Sequence, residues 1–214
     1  MEKDSQGSLA LSALKRAHGR AVFGRRVRVL AQCLAPKIPP GASVLDVGCG
    51  DGTIASLILH QDPTINIRGI EFAPRSTCLI ECAPFDGITI PHPAASFDLC
   101  MFADVLHHVP DQQGIARILS EACRVSRRFV LIKDHLCESR FDFKTLQFMD
   151  WVGNRPHGVA LPYNYQSRAQ WERYFVQAGL IVRDWNENIP LYPAPFSALF
   201  GRRLHFVALL EKRQ

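Results

Sequence analysis

Hydrophobic positions change their period along this chain. From Ser8 to Ala35 apolar residues return at roughly helical spacing (Leu11, Leu14, Val22, Val29, Leu30, Cys33), with Arg and Lys between them. Gly19 and Gly24 interrupt that stretch, which predicts two helices with a joint between them. Pro36, Pro39, Pro40 and Gly41 then break the helix. Beyond them, short apolar runs alternate with amphipathic stretches. The runs predict strands over Ser43–Val47, Asn66–Glu71, Phe97–Ala103 and Arg128–Lys133, with a brief extended segment over Phe85–Ile90. The stretches predict helices over Thr53–His60, Pro74–Cys82, Asp111–Cys123 and Phe141–Trp151. Such alternation specifies an α/β fold, with a doubly wound and mostly parallel sheet covered on both faces.

The C-terminal part departs from that rule. A helix over Ser167–Ala178 is closed by Gly179, and Leu180–Glu187 and His205–Glu211 read as two strands. The loop between them, Asn188–Phe200, holds Pro190, Pro193 and Pro195 and predicts no helix. Parallel neighbours need a crossover of a dozen or more residues, usually helical, so an antiparallel last strand is expected. The 214 residues form one domain, with 1–40 as a helical extension and 41–214 as the core.

Composition supports a buried core, with 47% hydrophobic and 21% charged residues. No apolar run reaches the ~18–20 residues of a membrane helix and the first residues are polar, so neither signal nor anchor is expected. Seven scattered cysteines without a C-x-x-C pair argue against a disulfide framework or a zinc site. They favour a reducing cytoplasm. The net charge of +5 is concentrated: residues 1–40 carry eight Lys/Arg and two Asp/Glu, the remainder seventeen and eighteen. A basic extension suits an anionic substrate or a membrane surface. The body lacks interleaved aromatic and basic residues, so no nucleic acid is expected as a partner.

The segment Val44-Leu45-Asp46-Val47-Gly48-Cys49-Gly50-Asp51-Gly52 runs an apolar strand into three alternate glycines, with a helix behind them. Glycine permits positive φ and lets a ligand lie against bare backbone, and the helix presents free N–H groups to it. About 20 residues on, the next strand ends in Glu71, placed to accept hydrogen bonds from ribose hydroxyls. In the dinucleotide fingerprint the third glycine would fall at Thr53, which counts against a nicotinamide oxidoreductase. Asp46 at the strand end would oppose a pyrophosphate but suits the ammonium of an amino-acid moiety.

Val44–Gly52 resembles motif I of the class I S-adenosylmethionine-dependent methyltransferases. The likeness continues through Glu71, Asp86-Gly87, Ser96-Phe97-Asp98, Leu106-His107-His108-Val109 and Phe129–Lys133. It implies a Rossmann-like, seven-stranded sheet with the antiparallel last strand inserted between its neighbours. It implies S-adenosylmethionine as cofactor, held by Asp46, Gly48, Cys49, Gly50, Glu71, Phe72 and Ala103, with Asp86 and Gly87 at the adenine. Arg20, with His18 beside the joint at Gly19, would meet the cofactor carboxylate.

Methyl transfer to a hydroxyl or a protonated amine needs a proton acceptor near the strand C-termini. Asp134 and His135 are the first candidates and His107 the next. Residues 135–166 are rich in aromatics and are expected to roof a small-molecule substrate, contacted by His108, Trp151, Asn154, Tyr163 and Tyr165. Asp134, Asp150 and Asn154 offer oxygen donors, but scattered acids are ordinary and no metal is expected. Two alternatives stay open: a lipid or membrane-surface substrate, and a non-catalytic methyltransferase-like partner subunit.

Overall fold

Residues 24–154, 162–194, 196–201 and 203–213 are described by the computed structural model. The predicted joint, His18 and Arg20 lie outside them. Helix α1 occupies residues 24–34. It is followed by β1 (Ser43–Val47), α2 (Thr53–Gln61), β2 (Asn66–Glu71), β3 (Cys82–Pro84), β4 (Phe97–Ala103) and α3 (Gln112–Val125). Then come β5 (Ser126–His135), α4 (Arg140–Asn154), α5 (Arg168–Gln177), β6 (Leu180–Asn186), α6 (Ser197–Phe200) and β7 (His205–Lys212). The seven strands lie in the order β3-β2-β1-β4-β5-β7-β6. β1 to β5 pair in parallel, and β7 inserts antiparallel between β5 and β6.

Alternation along the central strands sends side chains to two faces. Val44, Leu99, Met101, Leu131 and Val207 join Leu30, Leu34, Ala55 and Ile58 of α1 and α2 in one cluster. Leu45, Cys100, Phe102, Val130, Ile132 and Phe206 join Ile115, Leu119, Trp171 and Phe175 of α3 and α5 in the other. Helix starts are locally encoded. Asp111 caps α3 by accepting from Gly114 N–H (2.7 Å), and Ser167 with Gln170 forms a capping box on α5.

Three predicted elements are corrected. Residues 74–81 form turns instead of a helix, because their backbone donors serve other partners: Cys78 N–H bonds Arg75 O and Leu79 N–H bonds Asp51 O. The third strand therefore sits at Cys82–Pro84, ahead of the predicted Phe85–Ile90. The Pro-rich connection before β7 does contain a single helical turn, α6. Among the described residues, no helix is long and apolar enough to cross a membrane.

The parallel strands all deliver their C-terminal ends to one edge, where the chain reverses between β1 and β4. That crevice is where open α/β sheets bind ligands. Gly48 turns at its bottom with φ +74°, and a Cβ there would stand 2.7 Å from Val105 Cγ2. Gly48→Ala is expected to cost about 1–3 kcal/mol in urea denaturation. Adding Val105→Ala should recover part of that loss, since the clash and not the strain would be relieved.

Candidate active site

The β1–α2 turn is built to present backbone. Gly48, Gly50 and Gly52 all have positive φ, and Gly48 N–H bonds Ile70 O at 2.8 Å, locking the turn to β2. Glu71, at the end of β2, accepts from Gly50 N–H (2.8 Å) through Oε2 and from Phe72 N–H (2.8 Å) through Oε1. Each carboxylate oxygen keeps a second lone pair for a ligand hydroxyl. Asp46 is 2% exposed, and among the described residues no donor reaches its buried Oδ1. Burial and the neighbouring Glu71 charge push its carboxyl up to about 7. A buried acceptor without a partner is costly, and a cationic ligand group would satisfy it.

Phe72 is exposed and lies beside Gly87, whose φ is +80°. Asp86 folds its own turn, with Oδ1 accepting from Ile88 N–H and Thr89 N–H at 2.7 Å each. Ala103 closes β4 opposite Lys133. Of the predicted cofactor residues, Asp46 to Gly50 lie at the end of β1 and in its turn, Glu71 and Phe72 at the end of β2, and Ala103 at the end of β4.

At the ends of β4 and β5 lies a buried charged cluster. Asp134 projects from β5 with both oxygens occupied: Oδ2 accepts from Leu106 N–H (2.8 Å), while Oδ1 accepts from His135 N–H (2.7 Å) and pairs with His107 Nδ1 (2.7 Å). Burial alone would raise its pKa, but the His107 charge and these bonds hold it well below the usual carboxylate range. For His107, burial pulls downward and Asp134 pulls upward; the carboxylate prevails and the pKa is raised. His135, whose Nδ1 is 3.1 Å from His107 Nδ1, is pushed down to about 4 by burial and by the His107 charge. The dyad is thus Asp134–His107, with His135 a neutral neighbour.

Asp104 sits beside it with φ +61°, a strained conformation for a non-glycine residue. Its carboxylate pairs with Lys133, which is fully buried, and with Arg26 of α1 at 2.7 Å. His205 of β7 lies 3.3 Å from Lys133 Nζ. Asp104, His107, Asp134 and His135 place donor atoms within 4.8 Å of one another. Asp104 already meets Lys133 and Arg26, and Asp134 meets His107, so both carboxylates have partners in this structure.

The roof meets the cluster through Asp150 and Tyr165. The Tyr165 hydroxyl donates to Asp150 Oδ2, which lies 3.6 Å from His107 Nε2. His107 Nε2 itself is buried and accepts or donates no hydrogen bond among the described residues. Tyr165 stacks towards His107 (centroids 6.1 Å) and lies beside Tyr163 (6.3 Å). Tyr163 in turn lines a groove of about 290 Å³ with Lys144, Gln147, Phe148 and Trp151. His108 packs on His107 (4.0 Å). The Asn154 side chain and residues 155–161 lie outside the described part.

The structure places Asp134, His135 and His107, all singled out from the sequence, in contact with one another. The sequence reading missed Arg26 and His205. Arg26 is one of several basic residues on an amphipathic helix, and only packing across 78 positions shows that it faces Asp104.

A seven-stranded sheet with an inserted antiparallel strand, a glycine turn after β1 and an acid at the end of β2 match the class I methyltransferase architecture. The chain belongs to the methyltransferase-domain family, whose profile ("Methyltransferase domain") matches residues 17–184. Its family and fold are those of the class I S-adenosylmethionine-dependent methyltransferases. Over 92 residues it is 36% identical to 2-methyl-6-phytyl-1,4-hydroquinone methyltransferase of Synechocystis, covering 38% of this chain and 29% of that protein. The chain thus spans less than a third of that relative's length. Its fold is similar to a chain in the complex of the Haloferax volcanii Trm112 methyltransferase activator with a methyltransferase (TM-score 0.67, 13% identity, 92% of this chain and 95% of that one). It is also similar to an S-adenosylmethionine-dependent methyltransferase from Mesorhizobium loti (TM-score 0.61, 16% identity, 85% and 96%).

Proposed function

We propose that this chain methylates a small, partly apolar acceptor that carries an ionisable hydroxyl on an aromatic ring, with His107 as the base. One observation carries the reading: Asp134 fixes His107 Nδ1, leaving a buried Nε2 with no hydrogen bond, turned towards Asp150 and the roof. This is the arrangement of a positioned general base, in which a carboxylate sets the tautomer and supports the imidazolium that forms. The aromatic roof suits a ring, and the exposed Phe141, Phe148 and Val152 of α4 suit an apolar substituent. The Synechocystis relative is named for a hydroquinone with a phytyl chain, which supports this substrate class.

When bound, the cofactor supplies an already activated methyl group. Asp46 would accept from its cationic amino group, Glu71 from the ribose hydroxyls, and the bare backbone of Gly48 and Gly50 would lie against it. Phe72 and Gly87 would border the adenine, with Asp86 holding that loop. The acceptor hydroxyl would lose its proton to His107 Nε2, which makes the acceptor more nucleophilic. Asp134 keeps its charge throughout and stabilises protonated His107.

The test is calorimetric titration with S-adenosylmethionine, S-adenosylhomocysteine and NAD⁺, followed by labelled-methyl transfer to hydroquinones, phenols and amines. Micromolar binding of both sulfur nucleosides is expected, weakened about 10- to 100-fold in Glu71→Ala, the worth of lost charge-assisted bonds. Label should appear on the hydroquinones or phenols. Transfer to amines alone would overturn the acceptor class, and preference for NAD⁺ would overturn the assigned cofactor contacts.

A further inference from the structure

Three sulfur atoms meet behind the cofactor turn. Cys49 lies between Gly48 and Gly50, Cys78 in the turns of 74–81, and Cys82 at the start of β3. Their Sγ atoms lie within 4.8 Å of one another, and those of Cys49 and Cys82 are 3.4 Å apart. The fold makes this meeting through an empty position. Register pairs Cys82 with Gly69 of β2, and a Cβ on Gly69 would stand 2.4 Å from Cys49 Sγ. The Cys49 thiol therefore crosses β2 where β2 has no side chain, and reaches β3. Cys78 is brought in by Leu79 N–H, which bonds Asp51 O at 2.9 Å, and its Sγ would be 3.1 Å from a Cβ on Gly52.

We propose that Cys49, Cys78 and Cys82 form a three-thiolate site for Zn²⁺, completed by one external ligand. Zinc–sulfur bonds of about 2.3 Å at tetrahedral angles set sulfur–sulfur distances near about 3.8 Å, between the closest pair here and the 4.8 Å limit of the set. Filling the site asks for shifts of about an ångström or less in side chains that are all half-buried and reachable from solvent. A Cys49–Cys82 disulfide is the competing fate of the same atoms. It would have to close the pair to about 2.0 Å and would need an oxidant to accept two electrons. A dication instead displaces three protons and leaves one net negative charge, so uptake strengthens as pH rises. The sequence argued against zinc because the ligands are not in a C-x-x-C pair; β2–β3 pairing supplies the proximity that spacing lacks.

The full chain, reduced and stripped with a chelator, is titrated with Zn²⁺ against a competing chromophoric chelator, with Cd²⁺ as an optical probe. One equivalent is expected, with a sulfur-to-cadmium charge-transfer band in the ultraviolet and alkylation blocked at these three thiols. Cys78→Ser and Cys82→Ser, both at half-exposed positions, should each weaken Zn²⁺ binding at least about tenfold. Cys137→Ser should leave it unchanged. No uptake by the reduced protein would overturn the proposal. So would binding without the sulfur band, or with equal affinity in Cys78→Ser and Cys82→Ser, which would place the ion among the His and Asp side chains instead.

Discussion

His107→Gln is expected to lower kcat by about 10²–10⁴-fold, the usual worth of a positioned general base. Glutamine can still meet Asp134 and fill most of the space, but it cannot take a proton. Cofactor affinity should stay within about twofold, because His107 bonds Asp134 and His135 while Glu71 bonds the glycine turn. The pH profile gives an independent readout. His107 acts only when deprotonated, and Asp134 raises its pKa above the ordinary 6.5 despite burial. Activity of the parent chain should therefore climb with pH through an apparent pKa above 6.5 and then level off. Asp134→Asn removes that pull, so its acid limb should shift to lower pH while the plateau falls. His135→Gln should be the milder change, since His135 is already neutral at working pH, with its pKa pushed down to about 4. A His107→Gln enzyme with an unchanged plateau would mean that alignment alone carries the transfer and that no base acts at this position.

The charged cluster explains why the base can be buried at all. Removing an ion from water is repaid only where partners and hydrogen bonds are complete. Asp134 has three donors, and Asp104 has Lys133 and Arg26. Asp104 nevertheless holds φ +61°, a conformation that costs of order 1 kcal/mol or more. The two ion pairs and the bond from its own N–H to Lys133 O, at 2.9 Å, hold it there. Through Arg26, helix α1 is tied to the same cluster, so the N-terminal region reaches the chemistry through Asp104.

The parts of the fold readable from sequence are those where one local rule decides. Val44–Gly52 is legible because a buried strand must be apolar and a backbone-presenting turn must be glycine. The ends of β2 and β4 are legible because each apolar run stops at its strand end. β5 was read too short at both ends, and its C-terminal extension reaches into the site. Asp134 and His135 look like a turn after the strand, yet they pair with Phe206 and His205 of β7 and continue the strand. Polar residues in a buried strand end are where function overrides pattern. The helix predicted over Pro74–Cys82 failed for a related reason, since its donors and its thiol are committed to the neighbouring turn. Arg26, His205 and the three-cysteine meeting depend on pairing between distant segments, and no local spacing announces them.

Asp46→Asn is expected to make the cofactor-free protein more stable and worse at its task. The Asp46 carboxyl titrates at about 7 when folded, against an ordinary value of 3.8. Its folded pKa is raised, so the native state binds more protons between those values, and stability falls as pH rises from about 4 to about 7. Three units correspond to about 4 kcal/mol at most, and relaxation will return part of it. Asparagine carries no charge to bury. Its apo form should gain about 2 kcal/mol at pH 8, several degrees in Tm for a chain of this size, and nearly nothing at pH 4. Above pH 7 the parent chain carries that charge without a partner among the described residues, which is the state a cationic ligand group relieves. Removing the charge should therefore weaken S-adenosylmethionine about 10- to 100-fold and shrink the Tm increase that the cofactor produces. Thermal melts at pH 4 and pH 8, with and without cofactor, separate the two effects. An Asp46→Asn protein that melts lower than the parent at pH 8 would show that Asp46 is a structural anchor. One that is more stable yet binds the cofactor unchanged would remove Asp46 from the binding site.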